Sequence, residues 1–168
     1  VNTSVKPVML NATTLPDLLR LVGVEVTETI ANKLKTGDLV IFRSTVPVGT
    51  LRNVIIPILE KSGLVVGEDF FVSFAPERTV EGNALNELRT LPQIIGGYNN
   101  ESYEITTRLF SRITNTIVEA ESLEAAEMVK LMNNTFRDIV FSFSNEVSMI
   151  CDELNINAFK LIEAANEG

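Results

Sequence analysis

The chain has 168 residues, a formal net charge of −8, 45% hydrophobic residues and 21% charged residues, which is typical of a globular protein with one domain or parts of two. The acidic balance disfavours a nucleic-acid partner, because its phosphates would be repelled. The chain has no histidine and one cysteine, Cys151, which excludes histidine-based triads, most zinc sites and an internal disulfide framework. We therefore expect no metal site.

The sequence shows no sign of a membrane-spanning segment or a signal peptide. No apolar run approaches the ~20 residues that cross a bilayer. Residues 1 to 13 read as a polar loop, without the charged start and apolar core of a signal peptide. We expect no membrane partner, and the single cysteine fits a reducing compartment such as the cytoplasm.

Helical and strand-like segments alternate along the first 120 residues. Apolar runs predict the strands, and apolar residues at helical spacing predict the helices. Gly96-Gly97 is predicted to stop the third strand. The order predicts an α/β fold, with a sheet covered by helices. The predicted segments are a helix at 16–35, a strand at 39–42, a helix at 49–62, a strand at 70–74, a polar loop at 75–89, a strand at 93–95, a helix at 102–113 and a strand at 116–118.

A different pattern begins after Glu119. From Ser122 to Leu154 the chain contains no Gly or Pro, which predicts one long helix capped by Ser122. Its apolar residues occupy much of the circumference, which indicates burial on several sides or an oligomer interface. A last helix is predicted from about Ala158. We expect a domain boundary near residue 120, giving domains at 1–120 and 121–168.

Two polar motifs follow predicted strands. Ser44-Thr45-Val46-Pro47-Val48-Gly49-Thr50 follows the first strand, where hydroxyls and amides can hold a phosphate, a ribose or a water; a helix-capping turn is the alternative. Ala75-Pro76-Glu77-Arg78-Thr79-Val80-Glu81-Gly82 follows the second strand, and it offers carboxylates as bases and an arginine for a phosphate. A solvated loop with an internal ion pair is the alternative there.

The long helix carries a polar stripe. Glu127, Lys130, Asn134 and Arg137 are spaced by three and four residues, which places them on one helix face. A lysine among apolar neighbours can serve as a base, and asparagine can orient a substrate oxygen. The alternative is a solvated face on which Glu127 pairs with Lys130. Cys151 is predicted to be buried and inert, since no histidine is present to activate it.

Taken together, the chain resembles the UDP-glucose/GDP-mannose dehydrogenase family. The matching stretches are STVPVGT (44–50), FAPERTVEG (74–82), IIGG (94–97) and the segment 124–156. The resemblance implies the C-terminal half of a Rossmann-like NAD-binding domain followed by an α-helical central dimerisation domain. It further implies oxidation of the C6 alcohol of a nucleotide sugar to a carboxylate, with two hydride transfers to NAD.

The resemblance also implies roles for particular residues. Lys130 resembles the catalytic lysine that moves the hydroxyl proton and stabilises oxyanions, and Asn134 the asparagine beside it. Glu77 resembles the carboxylate that assists thioester hydrolysis, and Thr45 the threonine that holds the water. By the same resemblance, the cofactor-binding residues are Ser44, Thr45 and Glu81, and the substrate-binding residues are Arg78, Thr79, Lys130, Asn134 and Arg137.

Two arginines point to a branch of the family. Members that act on UDP-N-acetylhexosamines resemble this chain in Pro-Glu-Arg, which contains Arg78, and in an arginine three residues after Asn134, which is Arg137. The resemblance also implies a homodimer through the helix at 122–154 and a cytoplasmic role in polysaccharide precursor synthesis.

Two parts of the family pattern are missing from the chain. These are the glycine-rich phosphate loop and the glycine-flanked catalytic cysteine, and Cys151 is not at that cysteine's position. We therefore expect the isolated 168 residues to be an internal fragment without turnover and with weak cofactor binding. Two other functions stay open, a β-hydroxyacid-type NAD dehydrogenase and a non-catalytic dimerisation or binding module.

Overall fold

The computed structural model describes residues 15–78, 82 and 84–167, with side chains from residue 23 onward except at 84 and 85. The chain divides into two compact units, Val1–Met128 and Val129–Gly168. A sheet with flanking helices forms the first unit, and helices form the second. The α/β fold that the alternation of elements predicts is confirmed.

Four strands form the sheet in the described part of the chain, in the order β1-β2-β3-β4. β1 and β2 pair in parallel, β2 and β3 antiparallel, and β3 and β4 in parallel. All four residues of β2 are buried, as expected for a strand covered on both faces. The strands are β1 (Leu39–Phe42), β2 (Phe71–Phe74), β3 (Gln93–Gly97) and β4 (Ile117–Ala120).

Helices connect the strands and form the second unit. The segment after β1 begins as a π-helical turn, Leu51–Ile55, continues as α2, and ends in a 3-10 turn, Glu60–Ser62. The helices are α1 (Leu15–Ala31), α2 (Ile56–Leu59), α3 (Ala84–Thr90), α4 (Asn100–Phe110), α5 (Leu123–Glu153) and α6 (Ala158–Ala165). None of the described helices is both long enough and apolar enough to span a membrane.

Each face of the sheet carries its own apolar cluster, because alternate residues of a strand point to opposite faces. On one face, Val40 and Val72 pack with buried residues of the segment after β1 and of the first turn of α5. On the other face, Ile95 packs with Phe110 of α4. The residues from the segment after β1 and from α5 are Leu51, Ile55, Ile56, Leu59, Leu123 and Ala126. The start of α5 is therefore part of the core of the first unit.

The prediction that Gly96 and Gly97 stop the third strand is wrong. They are the last two residues of β3, and Gly96 pairs with Phe74 on one side and with Ala120 on the other. A Cβ added at Gly96 would lie 2.8 Å from the Cβ of Ala126. Glycine is required here because α5 approaches the strand backbone closely.

The polar loop predicted at 75–89 contains a helix. α3 covers Ala84–Thr90, a run without Gly or Pro. Its seven residues are too few to show a helical period of apolar residues. The sequence therefore predicts a loop from the polar residues of this segment.

Candidate active site

The two strand-end motifs lie side by side at one edge of the sheet. β1 and β2 are parallel, so the segments that follow them leave the same edge. Their pairing continues past the strands, since the Ala75 amide donates to the Phe42 carbonyl at 2.9 Å and the Glu77 amide donates to the Arg43 carbonyl at 3.0 Å. Glu77 is thereby placed next to the residue that precedes Ser44. The fold brings the STVPVGT and APER segments together.

The Glu77 carboxylate is held by an arginine. Its Oε2 accepts a hydrogen bond from Nη2 of Arg43 at 2.6 Å, and its Oε1 accepts one from the Arg78 amide at 2.8 Å. The Glu77 side chain is 45% exposed and that of Arg43 is 29% exposed. Glu77 is thus an oriented carboxylate within reach of solvent. The alternative from the sequence is an ion pair within the loop, whereas the pair that the structure shows joins Glu77 to Arg43, directly after β1.

Arg78 and Gln93 tie the second motif to β3. Nη1 of Arg78 donates to the Pro92 carbonyl at 3.3 Å. Nε2 of the buried Gln93 donates to the carbonyls of Pro76, at 3.4 Å, and Ile94, at 3.2 Å. These contacts fix the backbone on either side of Glu77. Thr79 and Glu81, predicted to bind substrate and cofactor, lie outside the described residues.

The first motif presents hydroxyl groups to solvent. Ser44 and Thr45 are exposed, whereas Val46 is buried and anchors the turn. Gly49 has φ of +84°, a left-handed conformation that favours glycine. The Thr50 hydroxyl donates to the Pro47 carbonyl at 2.6 Å. Ser44 and Thr45 are therefore the groups of this turn that remain open to a ligand.

Backbone amides of the same turn are occupied by Glu127. The Gly49 amide donates to Oε2 of Glu127 at 2.5 Å, and the Leu51 amide donates to Oε1 at 2.9 Å. Glu127 is fully buried, and burial raises the pKa of its carboxyl although these two hydrogen bonds oppose the rise. Two interpretations from the sequence are corrected. These amides are not free for a phosphate, and Glu127 does not lie on a solvated face.

A second ion pair ties the segment after β1 to α5. Arg52 donates to Glu124 from Nε at 2.5 Å and from Nη2 at 3.3 Å, and its guanidinium lies 5.3 Å from the Tyr98 ring centroid. The hydrogen bond from Arg52 lowers the pKa of Glu124. Ser122 caps α5 as predicted, since its hydroxyl accepts from the Ala125 amide at 3.1 Å. The start of α5 is therefore held at several points.

The remaining predicted side chains belong to the second unit. Lys130 and Asn134 of α5 are half-buried and Arg137 is exposed. Cys151 is buried at 1% exposure, as predicted. The second unit also exposes a broad apolar surface, which we call the α5–α6 apolar face; it includes Met132, Phe136, Ile139, Phe143, Met149, Leu154 and Phe159.

Sequence reasoning missed Arg43 and the structural role of Glu127. The one feature of the sequence that could indicate a role for Arg43 is its position directly before the STVPVGT motif. Glu127 has no such feature, because its helical spacing suits a pair with Lys130 equally well. Among the described residues, no group of three or more His, Cys, Asp or Glu side chains is arranged to hold a metal ion.

Comparison with protein families gives two matches along the chain. Residues 11–114 match the NAD binding domain of the UDP-glucose/GDP-mannose dehydrogenase family, and residues 124–168 match its central domain. The chain belongs to this family. NAD is accordingly the cofactor of the first domain, whose fold is Rossmann-like. The exposed hydroxyls of Ser44 and Thr45, at the carboxyl end of a strand, fit this ligand class.

Relatives with assigned activities share most of the chain. A UDP-N-acetyl-D-mannosamine dehydrogenase from Pyrococcus horikoshii is 35% identical over 82% of this chain and 33% of its own length. A UDP-N-acetyl-D-glucosamine 6-dehydrogenase from Salmonella typhi is 32% identical over 95% of this chain and 37% of its own length. The solved structure of the UDP-D-ManNAc dehydrogenase from P. horikoshii superposes with a TM-score of 0.83 at 34% identity, over 88% of this chain and 35% of that chain. This chain therefore spans about a third of the length of these relatives.

Proposed function

We propose that the polypeptide carrying these residues oxidises the C6 alcohol of a UDP-N-acetylhexosamine to the uronate. Bound NAD supplies the hydride acceptor. The observation that carries the proposal is the juxtaposition of Glu77 with the segment that bears Ser44 and Thr45, at one edge of the sheet of a family NAD binding domain. This juxtaposition supports the proposal, because the proposed chemistry uses a base and a held water.

The proposed role of Lys130 is to accept the hydroxyl proton and to stabilise the negative charge that develops on the substrate oxygen. The neutral amine accepts the proton, and the ammonium formed in that step opposes the developing charge in a partly buried position. Asn134, one helical turn further along α5, orients the same oxygen or a water. Both side chains are half-buried, which limits competition from bulk solvent.

Glu77 and Thr45 are proposed to act in the hydrolysis of the thioester formed on the family's catalytic cysteine. A water held by Thr45 adds its oxygen to the thioester carbonyl carbon while Glu77 accepts the water proton. The carbon–sulfur bond then breaks, and the electron pair leaves with the sulfur as a thiolate. Cys151 is not proposed for this step, because it is buried and does not occupy the family position.

The substrate branch is proposed from two arginines and from the relatives. Arg78 and Arg137, together with Thr79, Lys130 and Asn134, are proposed to bind the nucleotide sugar, and guanidinium groups suit its phosphates. The relatives named above act on UDP-N-acetyl-D-mannosamine and UDP-N-acetyl-D-glucosamine. Ser44, Thr45 and Glu81 are proposed to contact the cofactor.

Assembly is a further part of the proposal. Phe136 and Phe143 on the α5–α6 apolar face are each 69% exposed, and exposed large apolar side chains in such number are typical of an interaction surface. We propose that this face contributes to a homodimer through α5, in a cytoplasmic enzyme of polysaccharide precursor synthesis. The domain boundary near residue 120 is part of the same proposal.

The test uses the complete reading frame that encodes these residues. Purified protein is given NAD with UDP-N-acetylmannosamine, UDP-N-acetylglucosamine, UDP-glucose or GDP-mannose, and NADH and uronate are counted. We expect two NADH per uronate and a preference for a UDP-N-acetylhexosamine. Lys130→Ala should lower kcat by about 10²–10³-fold, whereas the matched control Lys160→Ala, on an exposed position of α6, should not. A protein that forms no NADH with any of the four sugars would rule the proposal out.

A further inference from the structure

We propose that Arg43 is a positioning residue for the hydrolytic step, one that orients the carboxylate of Glu77. The inference rests on the proposed function, since it assigns Arg43 a task only if Glu77 serves as the base. The family resemblance assigns no role to Arg43. The role proposed for it follows only from its contacts in the structure.

Arg43 holds Glu77 through two separate attachments. Its backbone carbonyl accepts the Glu77 amide at 3.0 Å, and its Nη2 donates to the Glu77 carboxylate at 2.6 Å. The first contact uses backbone atoms only and survives any change of side chain at position 43. The second depends on the guanidinium. A substitution at Arg43 therefore releases the carboxylate while the backbone pairing of the two strand ends persists.

The Arg43 side chain is itself fixed. Its guanidinium carbon lies 5.1 Å from the ring centroid of Phe110, within the range of a cation–π contact. Phe110 is 5% exposed and belongs to the cluster on the α4 face of the sheet. The buried ring thus provides a stable platform, and the guanidinium on it presents its donors in one plane.

The positive charge of Arg43 also suits this role. A general base must be deprotonated before it accepts a proton, and an adjacent cation favours the carboxylate form. Arg43 pairs with Glu77, and the side chains of Arg78 and Glu87 line a small cavity together with Glu77. Arg78 contacts Glu77 through its backbone amide and directs its guanidinium to the Pro92 carbonyl. The Arg43 guanidinium donates a hydrogen bond to the Glu77 carboxylate itself.

Loss of this ion pair should change catalysis more than stability. Both side chains are partly exposed, at 29% and 45%, and ion pairs of that exposure contribute little to folding. A misplaced base, by contrast, loses much of its rate advantage. This difference allows a positioning role to be separated from a merely structural one.

The experiment compares Arg43→Gln and Arg43→Lys with Arg52→Gln in the complete reading frame. Arg52 is a close match, because it also pairs with a glutamate and also lies over an aromatic ring. For Arg43→Gln we expect about tenfold or slower uronate release, after a burst of two NADH per active site. The acid limb of the pH–rate profile should move to higher pH, and KM for the sugar should change little. Arg43→Lys should recover part of the rate, and Arg52→Gln should leave the rate and the profile near wild type.

Failure of this inference can be told apart from failure of the proposed function. If the wild type oxidises the sugar and Glu77→Gln stops uronate release, but Arg43→Gln keeps the wild-type rate and pH profile, Arg43 has no positioning role. An equal loss of rate in Arg43→Gln and Arg52→Gln would also overturn the inference. If the wild type makes no NADH, the proposed function itself fails. If the wild type is active and Glu77→Gln is fully active too, the role of Glu77 fails and the inference about Arg43 fails with it.

Discussion

Replacement of Glu127 by glutamine tests how the STVPVGT turn is held. The two carboxylate oxygens accept separate backbone donors, the amides of Gly49 and Leu51. Glutamine keeps one acceptor and turns an NH₂ group toward the other donor, which leaves a buried amide unpaired. A hydrogen bond to a charged group contributes about 1.5–3 kcal/mol, and an unpaired buried donor costs about 1–3 kcal/mol. The relief of carboxylate burial offsets part of this, so we expect a net loss of roughly 2 kcal/mol.

The assay for Glu127→Gln has a global and a local readout. Chemical denaturation measures the free energy of unfolding, and hydrogen exchange measures protection of the Gly49 and Leu51 amides. A loss of roughly 2 kcal/mol corresponds to about 30-fold faster exchange. The matched control is Glu124→Gln, one turn earlier on α5 and paired with Arg52 at the surface; it should cost under about 1 kcal/mol. Unchanged exchange at both amides in Glu127→Gln would refute the reasoning.

The stability difference between wild type and Glu127→Gln should depend on pH, and the direction of that dependence is defined. Burial raises the pKa of Glu127 above its ordinary 4.5. A raised pKa in the folded state contributes stability that is fully present below pH 4.5 and is lost as pH rises through the folded-state value. Glutamine does not titrate, so the stability difference between wild type and Glu127→Gln should shrink with rising pH. A difference that grows with pH contradicts this assignment.

Three further predictions concern packing, capping and assembly. Gly96→Ala should destabilise the first unit by about 1–3 kcal/mol in chemical denaturation, because its new Cβ would collide with the Ser122 carbonyl oxygen and with the Cβ of Ala126. Ser122→Ala should cost about 0.5–2 kcal/mol by the same method through loss of the α5 cap, and Ser122→Thr should recover most of it. Phe143→Asp should shift the complete protein toward monomer in analytical ultracentrifugation, since Phe143 is 69% exposed on the α5–α6 apolar face. Leu109→Asp, at an exposed position of the first unit, is its control and should leave the assembly intact.

Local signals in the sequence were enough for most of the secondary structure. The apolar run at 39–42 and the Gly- and Pro-free stretch after Ser122 predicted β1 and α5, since periodicity and capping act within a few residues. The motifs at 44–50 and 74–82 indicate the family without reference to the fold. Short or polar elements carry weaker local signals, so the sequence does not predict α3, and it predicts that β3 ends before its two glycines.

Tertiary structure alone decided how the candidate site is held. Glu127 and Gly49 are 78 residues apart in sequence, and Arg43 and Glu77 are 34 apart. Helical spacing suggests an ion pair between Glu127 and Lys130. In the fold, Glu127 is buried and accepts hydrogen bonds from two amides of the turn after β1. The parallel pairing of β1 and β2 brings Arg43 to Glu77. A pattern in sequence reports only neighbours within a turn or a strand, whereas the partner of a buried charge depends on which elements pack together.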